Sequence, residues 1–211
     1  MEGRAARRVS RQRARQANVP LTMWPGRSLL LRMFGRPCGL LGRLGGIIMA
    51  RTNRRHAAWA IGLLDVRSET TVLEVGFGPG VGIELLARSA RRVVGVDPSP
   101  AMLRQARRRN VAAVREGRVE LRQGSAESLP LADASCDGVL AVNSLQVWSD
   151  PLSGLREVWR VLKPGGRLAL AFTIHSGQVR AGLSGLVAAA GFENCRIAEA
   201  DKAFCLLAMR P

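Results

Sequence analysis

Twelve residues, Thr71 to Gly82 (TVLEVGFGPGVG), constrain this chain more than any other stretch. The β-branched and apolar run Thr71–Val75 reads as a buried strand. It opens into Gly76-Phe77-Gly78-Pro79-Gly80, and an apolar, helix-like run follows from Val81 to Arg88. Alternate glycines permit positive φ and leave no Cβ between backbone and ligand. The helix that follows turns free N–H groups and its positive dipole end toward the turn. Spacing then sorts the ligand classes. A dinucleotide fingerprint needs G-x-G-x-x-G, but the sixth position counted from Gly76, Gly78 or Gly80 is Val81, Ile83 or Leu85. A phosphate loop needs G-K-[ST], which does not occur here. What stands is E-x-G-x-G-x-G from Glu74 to Gly80, a pattern that a purely structural turn could also carry.

From Thr71 onward, strand and helix patterns alternate, which argues a parallel sheet covered on both faces. Arg92–Val96 is a second strand, ending at Asp97. Pro100–Asn110 is a helix with Ser99 as its N-cap. Val119–Arg122 and Gly138–Val142 are the third and fourth strands. Leu152–Leu162 is a helix stopped by Lys163-Pro164-Gly165-Gly166, and Arg167–Thr173 is the fifth strand. Val179–Ala190 is a helix ended by Gly191, and Glu193–Glu199 with Ala203–Met209 forms an antiparallel hairpin. Ligands of open α/β sheets bind outside the carboxyl ends of the strands, so the residues following each strand matter most. They are the glycine turn, Asp97, Gly124-Ser125-Ala126-Glu127, Asn143-Ser144-Leu145-Gln146-Val147-Trp148 and Thr173-Ile174-His175.

In their order, the segments LEVGFGPG, VVGVDPSPAML, GSAESLP, SCDGVLAVNSLQVW and LREVWRVLKPGGRLAL resemble the "type 11" branch of class I S-adenosylmethionine-dependent methyltransferases. The resemblance covers roughly residues 71–173. It implies an α/β, Rossmann-like, doubly wound seven-stranded sheet with the last strand antiparallel. It also implies a set of roles. Gly76, Gly78 and Gly80 let the backbone approach the methionine part of the cofactor, and Glu74 braces the turn. Asp97 holds the ribose, Pro98 and Met102 flank the adenine, and Ser125, Ala126 and Glu127 line its edge. Asn143 lies near the methionine moiety. Ser125 is a departure, since the family often has Asp there. Read singly, Asp97 could be a capping acid and Asn143 a turn residue.

Methyl transfer from a sulfonium is an in-line displacement, in which alignment in a dry pocket does most of the work. No general base is named by the sequence. His175 is the candidate, with a loop hydrogen-bonder as the plainer reading. His56 reads as a surface residue. Gln146 and Trp148 follow the fourth strand, where acceptors sit in this family, although core packing accounts for Trp148 equally well. An N-P-P-[YF] tetrad, typical of enzymes that methylate amino groups of DNA or of protein glutamine, is missing after Asn143. The four cysteines are scattered without metal-ligand spacing, so neither zinc nor a disulfide framework is expected, and reduced thiols in a cytoplasmic setting are.

Charge divides the chain. Residues 1–60 carry thirteen Arg against Glu2, whereas residues 61–211 carry seventeen Arg, two Lys and fifteen acids, a net of only +4. Residues 1–20 read as a basic solvated tail, with a mitochondrial transit peptide or an RNA-binding arm as alternatives. Residues 21–64 read as a helical extension capping the active site. Within them, residues 21–50 interleave Leu, Met, Trp and Phe with Arg, which also fits an interfacial helix on an anionic membrane. Arg51–Leu64 is read as the helix leading into the domain, 65–211. The modest charge of that domain argues against a large nucleic-acid footprint. The expectation is a methyltransferase for a small, lipid-like or quinone-like acceptor. RNA methylation and a non-catalytic cofactor-binding module are the alternatives.

Overall fold

The computed structural model describes residues 54–211, with the side chain of His175 outside that description. The tail at 1–20, the membrane or cap segment at 21–50 and the first turn of the helix expected from Arg51 therefore lie outside the described residues. Helix α1 spans 54–64. There follow β1 (Thr71–Val75), α2 (Val81–Leu86), β2 (Arg92–Asp97), α3 (Pro100–Arg109), α4 (Val111–Arg115), β3 (Val119–Gln123) and β4 (Cys136–Val142). The chain continues through α5 (Pro151–Val161), β5 (Leu162–Thr173), α6 (Leu183–Ala189), β6 (Glu193–Ala200) and β7 (Ala203–Met209).

The seven strands form one sheet in the order β3-β2-β1-β4-β5-β7-β6. β1 to β5 pair parallel with one another, and β7 runs antiparallel between β5 and β6. The chain steps outward from β1 through β2 to β3, then returns to lay β4 on the other side of β1. A crevice at the carboxyl ends of β1 and β4 follows from that reversal.

Alternation along the strands sorts the core into two layers. Leu73, Val75, Val139, Leu168 and Leu170 bury against Leu155, Val158 and Val161 of α5 and Val187 of α6. Val72, Leu140 and Ala169 face Ala60 and Leu64 of α1, Ile83 and Leu86 of α2, and Met102 and Ala106 of α3. Helices α3 and α5 start as their caps dictate. Ser99 Oγ accepts from Met102 N, and Asp150 accepts from Leu152 N and Ser153 N, each with proline at the first helical position.

Three boundaries differ from the sequence reading. Lys163-Pro164-Gly165-Gly166 is more than a helix stop: it belongs to β5, where Gly165 N donates to Arg210 O and Arg210 N donates to Gly166 O, both at 2.9 Å. The helix expected from Val179 begins only at Leu183, because Gly182 sits at φ 78 and resets the backbone. The short helix α4 follows Asn110, which had read as the end of the preceding helix.

Candidate functional site

At the reversal point lies a cleft open to solvent, at the carboxyl ends of the strands. Gly76, Gly78, Asp97, Pro98, Met102, Ser125, Ala126, Glu127, Asn143 and Trp148 all line it. Four strand ends and the segments that follow them, distant in sequence, thus bring ten of the anticipated residues together. Glu74 lies behind the loop, along a smaller cavity it shares with Gly76 and Gly78. Gly80 stands outside the cleft wall, packed on α3: Asn110 Nδ2 donates to Gly80 O at 3.1 Å and to Ala106 O at 2.9 Å. Gln146 is also outside the wall, with Nε2 donating to Asn143 O at 2.7 Å. His175 lies in a single 3-10 turn, Ile174–Ser176, after β5. His56 Nε2 sits 3.2 Å from Asp201 O.

The glycine loop is held by close contact. Gly76 has φ 72, and a Cβ there would fall 2.5 Å from Ser144 Cβ. Ser144 is buried, and its Oγ donates to Val75 O at 2.8 Å, which fastens the end of β4 to the end of β1. Sequence reading missed Ser144; its one signal was a small polar residue beside Asn143 at a strand end.

Asp97 is 5% exposed, and both carboxylate oxygens already accept backbone donors. Oδ2 takes Gly78 N at 2.9 Å and Oδ1 takes Ser99 N at 2.8 Å. Burial pushes its pKa up to about 6, against the pull of those two N–H groups. Each oxygen keeps a further lone pair for a ligand hydroxyl.

Glu74 alternates to the α2 side of β1, where Gly82 leaves room for it: a Cβ on Gly82 would sit 2.2 Å from Glu74 Oε1. Burial, then the charge of Asp97, push its pKa up to about 8, opposed by a hydrogen bond from the Ile83 backbone. Oε2 is buried and has no hydrogen-bond partner. An orphaned carboxylate oxygen at 3% residue exposure is costly, and a cationic ligand group is what would satisfy it.

The opposite wall is mixed. Glu127 Oε1 accepts from Ser149 N at 2.7 Å and Asp150 N at 3.1 Å, tying the loop after β3 to the loop after β4. Burial opposes its ionisation, but the surrounding hydrogen-bond donors together hold the carboxyl below its ordinary value. Asn143 has φ 50, a region Asn tolerates better than most residues. Its Nδ2 lies 3.1 Å from Thr173 Oγ1, and its Oδ1 accepts Thr173 N at 2.8 Å. It is therefore both a cleft residue and the brace between β4 and β5. Val142, Val147 and Trp148 supply an apolar surface. Among the described residues, no group of His, Cys, Asp and Glu is disposed to hold a metal ion.

Comparison with known proteins gives the family and the fold. The family described as "Methyltransferase domain" matches residues 73–170. The uncharacterised methyltransferase YdaC of Bacillus subtilis is 38% identical over 129 residues, covering 60% of this chain and 69% of YdaC. A ubiquinone/menaquinone biosynthesis C-methyltransferase, UbiE of Syntrophotalea carbinolica, is 35% identical over 154 residues, covering 72% of this chain and 64% of that protein. The chain thus spans just under two thirds of the length of this second relative. In fold, it matches a crystal structure of a SAM-dependent methyltransferase from Aquifex aeolicus with a TM-score of 0.66 at 22% identity, over 74% of this chain and 89% of the other.

Proposed function

This chain belongs to the S-adenosylmethionine-dependent methyltransferases, and we propose that it methylates a small, quinone-like or lipid-like acceptor. The observation that carries the reading is the pairing, in one cleft, of a buried acid fixed to the glycine loop with an apolar wall at the end of β4.

The residues fit the cofactor. The Cβ-free turn at Gly76 and Gly78 would lie along its methionine part, with the unpartnered Glu74 oxygen toward the cationic amino group. Asp97 would take the ribose hydroxyls, with Pro98 and Met102 flanking the base and Ser125, Ala126 and Glu127 at its edge. When bound, S-adenosylmethionine supplies an electrophilic methyl group on a sulfonium sulfur. Ser144 and Asn143 hold the loops on either side in one geometry, so that an acceptor meets a fixed target. Val142, Val147 and Trp148 favour an aromatic or acyl acceptor and help exclude water. The similarity to a ubiquinone/menaquinone biosynthesis C-methyltransferase supports a quinone-like ring as the first class to try.

Calorimetric titration with S-adenosylmethionine and S-adenosylhomocysteine, beside an Asp97→Ala variant and NADH, tests the cofactor half. Micromolar binding lost in the variant is expected. A folded wild type that ignores both sulfur compounds would sink the reading. For the acceptor half, reduced naphthoquinones and phenols incubated with methyl-labelled cofactor should take up label. Label entering only amines or RNA would redirect it.

A further inference from the structure

The net of +4 over residues 61–211 conceals a strong asymmetry. Residues 84–122 hold ten arginines against four acids, one of them the buried Asp97, so the rest of that region is net negative. Half of these arginines are paired with carboxylates. Arg88 and Arg109 pair with Glu84, as Arg54 does from α1. Arg118 pairs with Glu116, and Arg92 and Arg122 share Glu120. Arg104, Arg107 and Arg108 of α3 and Arg115 of α4 are exposed and meet no carboxylate among the described residues. Three- and four-residue steps put the first three on one side of α3. Val111, 47% exposed, stands between them and Arg115, while Met102, Ala106 and Ala113 fill the inner side.

We propose that this α3–α4 face docks on an anionic phospholipid surface. Two features select that partner over a nucleic acid. No aromatic side chain is among the exposed large apolar residues of the described chain, so no platform for stacking unpaired bases is present there. A row of cations with an aliphatic side chain in its midst matches a headgroup layer over an acyl boundary. Pro98, just ahead of the α3 cap, and Met102, in the first turn of α3, belong to the cleft wall, so a helix lying on the surface brings that wall to the headgroup level. The inference rests on charge and exposure, and stands whatever the acceptor is.

Co-sedimentation of the full chain with phosphatidylglycerol-containing vesicles and with phosphatidylcholine vesicles tests it. The fourfold variant Arg104→Gln, Arg107→Gln, Arg108→Gln, Arg115→Gln should lose about a hundredfold or more in partitioning to the anionic vesicles at low salt. The corresponding fourfold Lys variant, which keeps the charge, should bind as wild type and guards against misfolding, with thermal unfolding checked for both. A control with Arg7, Arg8, Arg11 and Arg13 changed to Gln removes the same charge from the other end of the chain, and should lose less. Equal losses in the two Gln variants would reduce the effect to net charge and overturn the assigned face. So would undiminished vesicle binding by the α3–α4 variant, or loss of single-stranded RNA binding alone.

Discussion

Replacing Glu74 by Gln removes a proton that the folded protein holds unusually tightly. The carboxyl is buried against Gly82, with its pKa raised to about 8 by burial and then by the charge of Asp97. With that value, roughly nine in ten molecules carry the proton at neutral pH. A cationic group bound beside Oε2 favours the ionised form and expels the proton. Cofactor binding at pH 7 should therefore release close to one proton per site in the wild type and none in Glu74→Gln. Calorimetric titration in two buffers of very different ionisation enthalpy reads this number directly. The same residue predicts the sense of the stability profile. Between its ordinary value of 4.5 and about 8, the folded state keeps a proton that the unfolded chain has released. Stability therefore falls as pH rises through that window, by about 1.4 kcal/mol per pH unit and on the order of 5 kcal/mol in all. The Gln variant should lose that slope and be the more stable protein at the alkaline end. A wild type that binds cofactor with a heat independent of buffer would refute the placement of a cation at Glu74.

Gly76→Ala places a Cβ 2.5 Å from Ser144 Cβ at φ 72; a loss of about 2–4 kcal/mol in chemical denaturation and loss of cofactor binding are expected. Trp148→Ala removes part of the apolar wall beside Gly154, whose added Cβ would meet the Trp148 ring at 2.5 Å. It should raise the acceptor KM while leaving the affinity for S-adenosylhomocysteine near wild type. Arg210→Ala should lower stability by about 2–3 kcal/mol, read as an earlier urea midpoint. Arg210 stacks 3.8 Å over the Trp159 ring and donates to the carbonyls of Trp159 and Arg160, both at 3.1 Å.

Local pattern was enough for the strands that carry the site. The apolar runs at Thr71 and Arg92 are buried along almost their whole length, and no competing period exists in them. The cleft wall was legible for a related reason: its residues follow strand ends, and strand ends are easy to find. What could not be read were partners chosen by the fold. Asn143 and Thr173 are thirty residues apart in sequence and meet only once β4 lies beside β5. The Ser144 clamp on β1 depends on parallel neighbours in the same way. Gln146 was expected at the acceptor because it follows β4, but the 3-10 turn Leu145–Val147 directs its amide back to Asn143 O. The basic face was hidden by averaging, since a net charge records no positions.

The two hydrogen bonds that Asp97 accepts have a consequence for anyone wishing to re-engineer cofactor choice. The residue proposed to grip the ribose also pins Gly78 of the glycine turn. Exchanging it to admit a sugar-modified sulfonium analogue would therefore slacken the turn at the same stroke, and lost affinity would be misread as poor fit. Altered cofactor preference is better sought at Ser125 or Ala126, which face the same cleft and bear no part of the turn. Directed libraries that leave Asp97 and Ser144 untouched should yield far more folded, selective variants than libraries that include them.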